Sequence, residues 1–255
     1  MADVERFRAL ARSSPWLWTS VRLTRRMVGD ARIPTGTVRA WVDRPGRTRV
    51  EDENGRVSVY DESSRERTDR GVFAATSDGS PLPGEVMKPR YHFPQDPEAP
   101  SPRRRPDGLV AARPTDFSVI YDDPMHVNYL WVAMLDPVEL ADGAPPEGPP
   151  SPEVPALDVL ALTGGTRAGR PTVDATVRPA SSYSPRCTCC ALLDGEVVAG
   201  LLRQEGGFVP PRQAYADAFE VALDTETGIC VRMRELGGDH GGTGFDVVIE
   251  TVTPA

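Results

Sequence analysis

Three of the four cysteines fall within four residues, in Pro185-Arg186-Cys187-Thr188-Cys189-Cys190, and the fourth is Cys230. Thiolates are nucleophiles, redox couples and soft metal ligands, so this is the densest local chemistry in the chain. On a strand, Cys187 and Cys189 share a face and Cys190 points to the other. Three thiolates with Cys230 as the further donor would satisfy tetrahedral zinc. The C-x-C-C spacing is not a usual zinc spacing, though, and it has no matched second pair. A disulfide to Cys230 needs neighbouring strands with α-carbons about 4.4–6.8 Å apart. Three readings therefore stay open: reduced structural cysteines, a disulfide, and a metal or redox-responsive site at Cys187, Cys189, Cys190 and Cys230. Zinc is the one cofactor this leaves in play.

The histidines are His92, His126 and His240. His126 lies near Asp122 and Asp123, where an acid–base pair can be drawn. A hydrogen-bonded interior role is the commoner fate of such a residue. There is no Gly-x-Ser-x-Gly elbow and no pair of histidines at metal spacing. Gly164–Gly169 and Gly237–Gly244 read as hairpin turns rather than phosphate cradles. Asp136 and Glu139 read as solvated, and so does the charge run Arg103-Arg104-Arg105. These residues carry no enzyme motif.

Large apolar side chains remain: Trp18, Trp41, Met125, Tyr129, Trp131 and Met134. They read either as core or as the lining of an apolar cavity, since Met and aromatic walls adapt to lipid-like guests.

What would position these groups is a mid-chain segment. From Met125 to Leu135 only His126 and Asn128 are polar. Asp122 or Asp123 suits a helix cap and Pro124 its first turn, so a helix is expected over Pro124–Leu135. Being apolar nearly all round, it belongs in an interior. Asp136-Pro137 ends it.

Around it the chain alternates in short strands. An amphipathic helix is expected over Asp3–Ser13. A strand over Trp16–Met27 follows, with Leu17, Val21 and Leu23 on one face and Trp18, Ser20, Arg22 and Thr24 on the other. Val38–Val42, Thr48–Glu51 and Arg56–Tyr60 continue a meander whose turns include Glu53-Asn54-Gly55. The proline-rich stretch from about Ala75 to Pro114 reads as a long loop, after which Phe117, Val119 and Tyr121 alternate. Gly143–Pro155 reads as a spacer. Leu157–Leu162 and Pro171–Arg178 are strands, and Cys187–Leu193 with Glu196–Leu202 reads as a hairpin across Asp194-Gly195. Asp217–Leu223, Ile229–Met233 and Phe245–Ile249 make three successive antiparallel strands. The expected fold is mainly β (α+β), one domain over residues 1–255: a strongly curved antiparallel sheet or incomplete β-barrel around a central apolar helix, with an N-terminal amphipathic helix.

That order of elements resembles the lipoprotein-carrier superfamily. Three stretches carry the resemblance: the N-terminal helix leading into Trp16-Leu17-Trp18-Thr19, the Leu135-Asp136-Pro137-Val138-Glu139-Leu140 run, and the hairpin Phe219–Val231 with its Asp224-x-x-Thr227-Gly228 turn. The resemblance implies a half-barrel closed by helices over a hydrophobic cavity, and hence non-enzymatic binding of an apolar small molecule or acyl chain. Members of that superfamily work outside the cytoplasm. Here the first residues, MADVERFRAL, contain no apolar run, and the expectation is a cytoplasmic chain with reduced thiols.

Composition excludes some partners. Basic residues number 29 against 37 acidic ones, a net charge of -8, which argues against nucleic acid. Lys88 is the single lysine, an arginine bias typical of GC-rich genomes. No window reaches transmembrane length. A regulatory module docking a protein partner through its long loops is the remaining alternative.

Overall fold

The computed structural model describes residues 3–29, 36–62, 92–115 and 118–255. The part of the expected proline-rich loop over 75–91, and Phe117, lie outside the described residues.

Helix α1 (Val4–Ser13) starts where the Asp3 side chain accepts from the Arg6 amide, and it buries Phe7, Leu10 and Ala11. A 3-10 turn, Ser14–Trp16, leads into β1 (Trp18–Val28). β2 (Thr37–Asp43), β3 (Arg47–Asp52) and β4 (Val57–Asp61) complete a first meander. Next come a small hairpin of β5 (Arg103–Arg104) and β6 (Val110–Ala112), helix α2 (Tyr129–Leu135), and the short pair β7 (Asp142–Gly143) and β8 (Ser151–Pro155). The second meander holds β9 (Leu157–Arg167), β10 (Arg170–Pro179), β11 (Ala218–Asp224), β12 (Cys230–Leu236) and β13 (Gly244–Pro254), with α3 (Glu196–Gln204) inserted after β10.

β1 pairs with β13, which joins both meanders into one nine-stranded antiparallel sheet, order β4-β3-β2-β1-β13-β12-β11-β10-β9. The sheet is not a closed barrel: among the described residues β4 and β9 are its edges. One buried cluster links Phe7 and Leu10 of α1, Trp131 and Leu135 of α2, and Trp18, Leu23, Phe219 and Phe245 of the sheet. α2 packs against β12 and α1 against β11.

Several expected boundaries move, each for a local reason. The central helix begins at Tyr129, not Pro124, and the Asn128 side chain caps it. Val127 has φ +69°, outside helical space, and Asp122 and Asp123 are taken by arginines instead of capping. Trp18 joins Val21 and Leu23 on the buried face because a bulge between Trp18 and Ser20 re-aims it. The expected Cys187–Leu202 hairpin is a loop followed by α3. Val197, Val198, Leu201 and Leu202 fit helical spacing, and Gly195 serves as the N-cap instead of a hairpin turn.

Gly164 and Gly165 lie inside β9, and the turn is only Ala168-Gly169. The 143–155 segment is no free spacer. It pairs as β7 and β8, and Arg8 of α1 donates to the Ala141 carbonyl at 2.9 Å and the Pro152 carbonyl at 2.7 Å. The last three strands stand as expected. In their first turn Asp224 Oδ1 accepts from the Thr227 amide (2.9 Å) and hydroxyl (2.8 Å). Gly228 lies so close to α1 that a Cβ there would sit 2.8 Å from the Leu10 carbonyl oxygen.

Candidate functional site

Along β1 the buried face runs Trp18, Val21, Leu23, Arg25, Met27. Arg25 thus occupies a core position on a central strand, between Val38 of β2 and Val247 of β13. It is 3% exposed. Its guanidinium lies over the Trp131 ring at 5.2 Å, and Arg25 Nε and Trp131 Nε1 are both buried without a hydrogen-bond partner. No carboxylate pairs with Arg25 among the described residues, and burial lowers its pKa to about 10. A buried cation with no counter-ion is costly and rare.

Arg25 opens onto a cavity of about 380 Å³ whose walls include Val38, Val50, Tyr60, His126 and Val127. The His126 Nδ1 is 3.1 Å from the Tyr60 hydroxyl, and the His126 ring meets Trp131 edge-on at 5.3 Å. His126 is thus paired with Tyr60 and not with Asp122 or Asp123. Burial, helped by the Arg25 charge, lowers the imidazole to about 4 and keeps it neutral. Asp52, Glu53 and Arg56 stand at the rim. Asp52 is occupied by the turn, where its Oδ1 accepts from the Asn54 and Arg56 amides. Val127, β-branched at φ +69°, stores backbone strain on the cavity wall.

The six aromatic and Met candidates divide. Trp18, Trp131 and Met134 are core residues, and Arg44 stacks on Trp18 at 3.4 Å. Trp41 lies on the opposite sheet face, between Arg22 and Arg49. Met125 (41% exposed) and Tyr129 (39%) face outward. Trp131 itself does not line the cavity; Arg25 and His126, whose side chains meet its ring, do, and Arg25 is not among the site residues expected from the sequence.

Asp136 and Glu139, expected to be solvated, are buried. Asp136 takes Arg113 and Arg186 together. Burial works to raise its carboxyl, but the two guanidiniums outweigh that and hold it low. Glu139 accepts from the Tyr183 hydroxyl, the Leu192 amide at 2.9 Å and the Arg186 amide at 3.2 Å. Burial nevertheless leaves its carboxyl raised. Arg44 pairs with Asp123 and Arg12 with Asp142 in the same layer. Each of these charges has an opposite charge beside it, so the pairs fasten the helical layer to the sheet, although Arg12 Nη2 and Arg186 Nε stay buried without a hydrogen-bond partner.

Arg186 and Leu192 bracket the cysteine loop, so Glu139 pins it at both ends. Cys187 Sγ lies 3.0 Å from Cys189 Sγ, which is 3.8 Å from Cys190 Sγ. All three sulfurs fall within 4.8 Å of one another. Cys230 is not among them. It is buried in β12, where its thiol donates to the Arg232 carbonyl at 3.2 Å. All four are free thiols. Burial would raise the Cys187 thiol, but hydrogen bonds from the Cys189 and Cys190 thiols and amides lower it. Cys190 is pushed up to about 12, chiefly by burial. No helix among the described residues is long and apolar enough to cross a membrane. The chain matches no protein-family model, curated protein or solved structure in the comparisons made.

Proposed function

We propose that the chain is a non-enzymatic binder of a small amphipathic carboxylate, such as a short acyl chain, held between the sheet and the segment leading into α2. The observation that carries this is Arg25, a buried guanidinium aimed at a cavity with no protein counter-ion among the described residues. A carboxylate would supply the missing charge and bidentate hydrogen bonds. Val38, Val50 and Val127 offer apolar wall to the rest of the ligand. A volume of about 380 Å³ is at the small end of ligand pockets and limits chain length. Strain at Val127 supports the reading, because outliers of this kind collect at ligand clamps.

The resemblance to the lipoprotein-carrier superfamily leads to the same region, since its ligands sit between a curved half-barrel and covering helices. The difference is the charged floor, which favours a ligand with an acidic head over a wholly apolar one. Calorimetric titration with straight-chain carboxylates of increasing length tests the proposal. Saturable 1:1 binding is expected, lost in Arg25→Met. Absence of saturation with every acid, or equal binding by the variant, would overturn it.

A further inference from the structure

The cysteine loop stands apart from the cavity and supports an independent inference. We infer that Cys187, Cys189 and Cys190 form a three-thiolate site for zinc, with the fourth coordination position left to solvent or an exogenous ligand. Tetrahedral zinc with bonds of about 2.3 Å places its sulfurs about 3.8 Å apart. The Cys189–Cys190 separation is already 3.8 Å, and the Cys187–Cys189 separation of 3.0 Å has to open by about 0.8 Å.

The loop is held in place from both sides. Glu139 binds the Arg186 and Leu192 amides, Arg186 is anchored on Asp136, and the Thr188 hydroxyl donates to Glu205 at 2.6 Å. Three soft ligands thus sit together on a held loop, within about 0.8 Å of the spacing that zinc needs. Cys189 is exposed, with Cys187 and Cys190 half-buried, so an ion can enter and leave. Cys230 takes no part, because its thiol is sealed in β12. Among the described residues no fourth His, Cys, Asp or Glu joins the group. Zinc sites with three protein ligands keep an exchangeable position, whereas structural ones close with four. Coordination releases the bound thiol protons to solvent, so occupancy rises with pH.

The test uses the full chain purified under reducing conditions, with zinc content by mass spectrometry and affinity by competition with a chromophoric chelator. One zinc per chain is expected. Each of C187S, C189S and C190S should weaken binding by at least about tenfold, since even outer-shell changes cost that much. C230S should bind as the unaltered chain does. Should a serine variant fold poorly, alkylation of the unaltered chain decides the matter: zinc must protect three thiols from iodoacetamide. No stoichiometric zinc, a loss in C230S equal to the others, retention of Cu⁺ but not zinc, or a Cys187–Cys189 disulfide in place of the ion would each overturn the assignment.

Discussion

Replacing Arg25 with methionine should stabilise the chain and abolish carboxylate binding together. Burial lowers the Arg25 guanidinium from its usual range to about 10, a difference equivalent to about 3 kcal/mol of disfavoured charge. Stacking on Trp131 at 5.2 Å returns about 1–2 kcal/mol of that. Methionine keeps much of the packing volume and removes the charge, so a net gain of about 1–2 kcal/mol is expected. For a chain of 255 residues that is a rise in Tm of about 2–8 °C.

The pH dependence follows from the direction of the change. A cation whose pKa falls on folding is destabilising wherever both states are protonated, and the cost fades only as pH rises above about 10 toward the range of an unfolded arginine. The gap between variant and parent should therefore stay level across neutral pH. Scanning calorimetry with chemical denaturation gives both quantities, and added carboxylate should raise the Tm of the parent alone. A variant less stable than the parent by about 1 kcal/mol or more would refute the reasoning, for it would mean that Arg25 makes a structural bond instead of awaiting a ligand.

Asp136→Ala leaves buried Arg113 without a carboxylate and Arg186 with Asp122 alone, and should cost about 3–5 kcal/mol, read from urea midpoints. His126 stays neutral in the folded state down to about 4 against 6.5 unfolded. Stability should thus fall as pH drops through that window, by about 1–2 kcal/mol after allowing for partial exposure, and His126→Asn should flatten the slope. Gly228→Ala puts a Cβ 2.8 Å from the Leu10 carbonyl at φ +70°; a loss of about 1–3 kcal/mol in thermal unfolding is expected.

The parts of the fold that could be read in the sequence are those fixed by neighbours along the chain. The β11–β13 strands alternate cleanly, and Asp224, Thr227 and Gly228 specify their turn within five residues. Asn54-Gly55 marks a turn for the same reason, with Gly55 at φ +77°. What escaped depends on distant partners. Asp136 and Glu139 look like solvent residues until Arg113, Tyr183 and Arg186 are brought to them. Trp18 changes faces through a bulge that only the β13 pairing creates. Glu196–Gln204 satisfies strand and helix periods alike, and its Gly195 cap is also a turn residue. Of the candidate site, the cysteine cluster was legible and its exclusion of Cys230 was not. Arg25 was missed, although the alternation along β1 puts it on the same face as Val21 and Leu23.

The pairing of β1 with β13 sets when this molecule can come into being. Trp18–Val28 must wait for Gly244–Pro254, more than 200 positions later, before its second edge is covered. Until residues 244–254 have left the ribosome the two meanders cannot be joined, and any part of either that has formed keeps an open hydrogen-bonding rim. Synthesis paused before that strand would yield a species prone to clump, and whatever shields it in the cell has to act on the unfinished polypeptide.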